Sequence, residues 1–558
     1  MKTVKSLLLS AAAGFAAVAS AQAADLPGKA APAEYVRICD TYGAGFFFIP
    51  GTDTCLRIGG FVRVDYNFSS NSGDGVTTAG GVTTPRLATT LYDANLGTNT
   101  RLTLNVDARS NTEYGLLRAF GQFSAYRAAL GAGGPTSQTA VNSGVGMSQR
   151  QSNISMERAF IQFAGFTFGF SASFFNFYQG DLSYARPYGA TATSTTVLAY
   201  TASFGSGFSA TLSFEDNPFR RMGNGDVFIA GFPAGAPGAG TGVSSSTSRP
   251  LSGAYGMTYA GQQLPDIVAN LRVDQGWGSV QAMGALHQLR DYGFLANPNT
   301  AFTSGGVNYG APSTRAGDKW GWAAGAGVRL NLDMLGRGDV LWLQAVYADG
   351  AIDYAFSTAN QGGDREGIYG AGNRAAANSL WALIKDGAVI NGGIQTTKAW
   401  SLTAGFRHFW TPAVRSSIFG GYSNINAPAL SLLPDIKYWQ VGINTIWSPV
   451  RNLDLGVEIV YHNINAKTQA GLPLPVGSST YGFSATPGRT TEGIWTGTLR
   501  VQRNFLSDPQ ISRFGPRRAT AGVLFGLCTA SRGAVDRTGH AAWRSESFLI
   551  SLRSSILR

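Results

Sequence analysis

The stretch that decides the fold is Leu56-Arg57-Ile58-Gly59-Gly60-Phe61-Val62-Arg63-Val64-Asp65-Tyr66-Asn67-Phe68. Leu56, Ile58, Gly60, Val62, Val64, Tyr66 and Phe68 fall on one face of an extended chain, and Arg57, Gly59, Phe61, Arg63, Asp65 and Asn67 fall on the other. Successive side chains of a strand point to opposite faces, so this segment reads as a strand with one face in hydrocarbon and one in water.

Outward from it the same alternation recurs. Leu102, Leu104 and Val106 alternate with Arg101, Thr103, Asn105 and Asp107, and Ala159, Ile161 and Phe163 alternate with Arg158, Phe160 and Gln162. Later instances run through 439–447 and 453–462. The pattern predicts sixteen strands at 56–68, 99–109, 115–126, 154–164, 166–173, 196–204, 207–215, 264–274, 278–288, 319–331, 339–348, 399–411, 414–423, 436–447, 452–463 and 491–505.

The connections alternate between short and long. Ala164-Gly165, Gly205-Ser206-Gly207 and Thr411-Pro412-Ala413 are short; 69–98, 127–153, 216–263, 289–318, 349–398 and 464–490 are long and rich in Gly, Ser, Thr and Asn. An outer-membrane barrel has such a trimmed periplasmic end and a loop-bearing outer end, with an even strand number. A further candidate strand, 252–260, breaks this alternation and is assigned to a loop. No water in a bilayer satisfies backbone N–H and C=O groups, so a spanning sheet must close on itself. The fold class expected is therefore all-β: a transmembrane antiparallel β-barrel, wide enough at sixteen strands to leave an aqueous lumen. Trp277, Trp320, Trp400, Trp410, Trp439, Trp447 and Trp495 lie near strand ends, where interfacial aromatic girdles sit.

The ends of the chain read differently. Lys2 and Lys5, the apolar run Leu7 to Ala19 and Ala21-Gln22-Ala23 form a secretory signal over 1–23, with cleavage after Ala23. Beyond it no stretch approaches the ~18 apolar residues of a transmembrane helix. Segment 24–55 carries Cys39 and Cys55; in an oxidising periplasm these pair, the alternative being two free thiols. The spacing fits no metal-ligand pattern, and no metal or cofactor is expected. After the barrel, 56–505, comes an Arg-rich tail, 506–558, without alternation, expected to be poorly ordered or a periplasmic appendage.

The composition, with 73 Gly, 33 Phe, 21 Tyr and 11 Trp against 13% charged residues and a mean hydropathy of -0.01, is neither that of a disordered chain nor of a helical globule. The net charge is +11, but the tail contributes +5 and the signal +2, which leaves +4 for 24–505. That spread excludes a nucleic-acid footprint. Catalysis finds no support either. His287, His408, His462 and His540 are scattered, and the Gly-rich run 231–238 lacks the Lys-Ser or Lys-Thr of a phosphate cradle.

Three segments carry a family resemblance: Tyr35-Val36-Arg37-Ile38-Cys39 with Tyr42–Phe46 and Ile49–Gly60; Leu264–Gln275; and Ser448–Glu458. Through them the chain resembles the alphaproteobacterial general porins over residues 1–505. The resemblance implies a diffusion pore for small hydrophilic solutes and ions, a homotrimer in contact with outer-membrane lipid and lipopolysaccharide, and a third outer loop folded into the lumen. It also implies a terminal aromatic read by the barrel assembly machinery, here Phe505, after which this chain departs from the family by continuing. On this reading Arg57, Arg63, Arg101, Arg118 and Arg158 form an inward wall on the first four strands. Segment 174–195, with Asp181 and Arg186, faces it to complete a constriction with a transverse field. Local pairing of those arginines with Asp65 and Asp107 is the alternative. Two other classes remain open: an outer-membrane barrel enzyme and a secreted β-sandwich adhesin.

Overall fold

The computed structural model describes residues 37–69, 75–79, 82–86, 96–129, 150–218, 220–222, 259–291, 302–304, 307–309, 317–357, 384–390, 393–429, 431, 433–467 and 489–505. The signal segment 1–23, the Gly-rich run 231–238, residues 252–258 of the candidate 252–260, and the tail 506–558 with His540 lie outside the described residues. Sixteen long strands form the wall: β1 Cys55–Ser69, β2 Leu96–Thr112, β3 Gly115–Ala129, β4 Arg150–Phe163, β5 Phe166–Ala172, β6 Ser194–Gly205, β7 Phe208–Glu215 and β8 Asp266–Gln275. The second half comprises β9 Gly278–Arg290, β10 Asp318–Asn331, β11 Val340–Asp349, β12 Lys398–Thr411, β13 Val414–Asn426, β14 Asp435–Val450, β15 Leu453–Lys467 and β16 Arg489–Phe505.

Each strand pairs antiparallel with the next, and β16 pairs back onto β1 from Gly60↔Phe505 to Ser69↔Thr496. The sheet has no edge left to satisfy, which is the condition for crossing a bilayer. This closure excludes the β-sandwich expectation. The turns follow local chemistry. At Ala164-Gly165 both φ angles are positive, 49° and 87°, as a two-residue turn matched to strand twist requires. The length rule is not strict: the outer connection 427–434 is no longer than the periplasmic one at 332–339.

Polarity is inverted relative to a soluble protein. Thr103, Asn105, Asp107, Gln122, Ser124, Gln440 and Asn444 are buried, whereas their strand neighbours Leu102, Leu104, Val441 and Ile443 are exposed. Period two thus separates two solvents, lipid outside and a polar interior. The tryptophans form two belts: Trp277, Trp410 and Trp447 near the short-turn end, and Trp320, Trp400, Trp439 and Trp495 near the long-loop end. In the second belt Trp439–Tyr461 and Tyr461–Trp495 rings are 5.3 and 4.9 Å apart.

The lumen is partly filled by the third loop, as the resemblance implies. Strand β5 ends at Ala172 after only 7 residues, and the chain leaves the wall for the interior until Ser194. Phe175, Phe177, Tyr178 and Tyr188 of this third loop join Trp342, Tyr354, Phe356 and Tyr438 in a buried apolar cluster. Enough aromatic area is withdrawn from water there to hold a loop inside a wet barrel.

Candidate functional site: a constriction built by the third loop

The loop is fastened to the inner wall by side chains that cap its backbone. Gln344 on β11 accepts from Tyr178 N at 2.8 Å and donates to Gly189 O at 2.9 Å. Asn270 on β8 donates to Phe174 O at 2.6 Å, and Glu215 on β7 accepts from Phe174 N at 2.9 Å. Glu458 on β15 accepts from Tyr184 N and Ala185 N, both at 2.6 Å. Asn444 on β14 donates to Leu182 O at 2.7 Å and to Glu458 Oε2 at 2.9 Å. A loop buried away from strands must find partners for every N–H and C=O, and these polar side chains supply them.

Two wall glycines make room for the loop. A Cβ at Gly327 would stand 2.0 Å from the Phe177 ring, and one at Gly405 would stand 2.9 Å from Tyr178 Oη. The loop therefore lies along β7 to β15, across the lumen from β1 to β4. The arginines of that facing wall occupy two levels. Arg57 and Arg118 lie at the short-turn end, because Arg57 is two residues into β1 and Arg118 three residues beyond the start of β3. Arg118 shares Asp107 with Arg109, at 2.9 and 2.6 Å, and Arg57 and Arg109 stand over the buried Phe46 ring. For Arg118 this is the local-pairing alternative.

Higher on the wall, Arg63 and Arg101 are direct cross-strand partners, and Arg158 is paired in register with Gln122. Arg63 donates to Gln502 Oε1 at 3.0 Å. Arg101 meets Glu157, which occupies a β-bulge in β4 where the register shifts between Gln122 and Phe123. The bulge re-aims Glu157 inward. Asp65 is taken by Arg500 at 2.6 and 2.9 Å, and the Arg500 guanidinium lies 4.0 Å from the Tyr184 ring centre.

Asp181 is exposed to the lumen, beside Arg186, whose stem lies over Gly180. Desolvation pushes the Asp181 carboxyl pKa up, and the charges of Arg186, Arg329, Arg407 and Arg158 oppose this. Arg329 and Arg407 were not anticipated from the sequence. They sit on the loop's own wall, so positive charge flanks Asp181 on both sides. The signal that could have found them is Gly-x-Arg on an inward face: Gly327-Val328-Arg329 and Gly405-Phe406-Arg407.

Toward the long-loop end a second buried network ties loops together. Asp266 contacts His287 Nδ1 at 2.8 Å, His287 Nε2 contacts Tyr259 Oη at 2.9 Å, and Tyr259 donates to Asp386 at 2.7 Å. Asp386 also accepts from Met222 N and Ile352 N. His462 contacts Tyr438 Oη and Thr496 Oγ1, and His408 contacts Asp339. These three histidines are thus used structurally. Cys39 and Cys55 form a disulfide across a sequence separation of 16, beside Phe46. Phe505 ends the last strand and packs against Gly60 at the barrel seam.

A closed barrel of sixteen strands, greasy outside, polar inside and narrowed by an inserted loop, defines an integral outer-membrane β-barrel protein of the porin type. The sequence matches the pattern described as Porin subfamily over residues 24–496. The chain belongs to that family. It is 32% identical over 287 residues to Porin Omp2b of Brucella suis biovar 1 (strain 1330), a match covering 50% of this chain and 65% of that protein. It is 31% identical over 287 residues to Porin Omp2b of Brucella melitensis biotype 1, with the same coverage. The aligned stretch thus spans less than two thirds of these relatives. Among solved structures, the outer membrane channel DcaP of Acinetobacter baumannii is similar, with a TM-score of 0.49 and 16% identity, covering 82% of this chain and 99% of that one.

Proposed function

We propose that this protein is a passive diffusion channel for small hydrophilic molecules and ions across the outer membrane, and not an enzyme. The observation that carries the reading is the third loop clamped inside a barrel whose interior is polar and whose exterior is apolar. Asp181 and Arg186 on the loop and Arg63 and Arg158 on the facing wall line the constriction, Arg101 lies buried against Glu157 behind them, and Arg57 and Arg118 lie buried toward the periplasmic end. Arginine stays charged in such a setting and imposes a field on what passes. The Asp266–His287 pair is fully buried, out of reach of any substrate, which speaks against a barrel enzyme.

The working unit in this reading is a homotrimer in contact with lipid and lipopolysaccharide, assembled by the barrel assembly machinery through Phe505. The mature chain begins at Ala24, and 506–558 is a tail without a part in conduction. Purified protein added to a planar lipid bilayer should give stepwise ohmic conductance; a silent film would overturn the channel. A chain stopped after Phe505 should give at least the yield of heat-resistant trimer of the full chain, and a lower yield would give the tail a role in assembly.

A further inference from the structure

We propose that the outward face of β11 to β14 carries a binding site for a single phospholipid of the periplasmic leaflet. His408 and Arg337 take its phosphodiester, the Ser416–Thr445 hydroxyl pair takes a glycerol ester oxygen, and Phe406, Ile418 and Ile443 lie along an acyl chain. The inference goes beyond the channel reading: it concerns the lipid side of the wall and is independent of what passes through the pore.

The site starts from cross-strand register. His408 on β12 is paired with Ser416 on β13, and Ser416 with Thr445 on β14. Residues two apart in a strand share a face, so His408 lies on the side of the exposed Trp400, Leu402 and Trp410, and Thr445 on that of the exposed Ile443 and Trp447. One row nearer the long-loop end, Leu341, Phe406, Ile418 and Ile443 are paired in turn, and all are apolar. One row nearer the short turns come Trp410 and Trp447. A polar row thus crosses the lipid face just inside the tryptophan belt, at the level where hydrocarbon gives way to headgroups.

The hydrogen bonds of this row leave donors unused and no open carboxylate. Asp339 is fully buried, and its two oxygens are taken by Phe409 N at 2.8 Å and His408 Nδ1 at 2.6 Å. The His408 ring is part-exposed between Phe406 and Trp410, with centroids 6.4 and 4.6 Å away, and its Nε2 has no partner among the described residues. As an imidazolium the ring donates from that atom as well. Trp410 Nε1 donates to Ser416 Oγ at 3.0 Å, and Ser416 Oγ lies 2.9 Å from Thr445 Oγ1. Whichever hydroxyl donates to the other, one O–H is left over. An unpaired donor beside hydrocarbon is costly, and the acceptors a bilayer offers at this level are phosphate and ester oxygens. The turn 332–339 that delivers Asp339 is fixed by Leu332 N to Asp339 O at 2.9 Å and by Gly338 N to Asp333 Oδ1 at 2.8 Å. It holds Arg337 exposed, a guanidinium suited to phosphate oxygens, beside Met334 and Leu335, which are 86% and 62% exposed. Donors and cations at one level, continuous with an apolar lipid-facing row, match one amphiphile with an anionic head.

Native mass spectrometry of the full chain in detergent, titrated with palmitoyl-oleoyl phosphatidylglycerol, tests the site. Binding should saturate at one tightly held lipid per chain. His408→Phe should weaken it about tenfold, the scale of one charge-assisted hydrogen bond. Arg337→Gln, in a turn outside the sheet, should weaken it about threefold, the scale of an exposed charge. Leu271→Ala, at an exposed lipid-face position of β8, should keep the wild-type affinity. Dioleoylglycerol, which has acyl chains and no phosphate, should not displace the lipid, and neither should inorganic phosphate. The variants are compared as folded barrels, checked by heat-modifiable mobility on gels. Wild-type affinity in either His408→Phe or Arg337→Gln would overturn the site, as would equal weakening by Leu271→Ala. Displacement by dioleoylglycerol would overturn phosphate recognition, and displacement by inorganic phosphate would overturn the choice of a lipid as the occupant. An oligomer that dissociates in His408→Phe with its lipid affinity kept would give the row to a second copy of the chain instead.

Discussion

Replacing Glu458 by glutamine should loosen the tip of the inserted loop while leaving the barrel closed. The two carboxylate oxygens accept from consecutive amides, Tyr184 N and Ala185 N, each at 2.6 Å, and Asn444 braces the same carboxylate at 2.9 Å. A glutamine has one carbonyl oxygen, and its NH2 group would point a donor at a donor. At least one charge-assisted hydrogen bond is lost, worth about 1.5–3 kcal/mol, and one amide is left without a partner, so about 3 kcal/mol is a fair magnitude. That shifts the docked-to-released balance of the tip by roughly a hundredfold. The rest of the loop stays fastened through Gln344 and Asn270, and the strand ladder does not pass through Glu458's side chain. Single-channel recordings should therefore show added noise and a larger second conductance level, with faster proteolytic cleavage between 180 and 186 and an almost unchanged barrel melting temperature. A quiet single level with wild-type cleavage would refute the clamp.

The Asp386 knot gives a pH dependence. Burial pushes its carboxyl pKa up to about 6, partly offset by His287 and by hydrogen bonds from Tyr259, Ile352 and Met222. A carboxyl whose folded pKa is raised stabilises the docked loops fully below its ordinary value near 4 and loses that contribution as pH rises through about 6. Open-channel noise should accordingly fall between pH 7.5 and pH 5 in the wild type, and Asp386→Asn should flatten this profile; an equal slope in the variant would remove the knot from the explanation. On the lipid face, Ile443→Arg places a charge at an exposed mid-strand position of β14 and should cost about 2–4 kcal/mol in refolding into vesicles. Equal refolding free energies would mean that Ile443 does not face hydrocarbon.

The wall of this protein was legible in its residues because strand pairing and lipid exposure are written locally. Alternation with period two at 56–68 or 439–447 needs no distant partner to be read, and a hydrocarbon solvent outside leaves little freedom in what the outward residues can be. All sixteen strands lie within four residues of where the alternation places them. The constriction was legible only in outline. Inward positions read simply as polar, so nothing in the sequence separates Arg118, spent on Asp107 near the turn, from Arg158, which faces the loop. Glu458 meets Tyr184 across 274 residues of chain, and Gln344 meets Tyr178 across 166. Which polar side chain clamps the loop, which arginine reaches Asp181 and how much of the lumen is filled depend on barrel register and on where β5 releases the chain. Both are settled only when the sheet closes, since closure is what brings opposite walls within hydrogen-bonding reach.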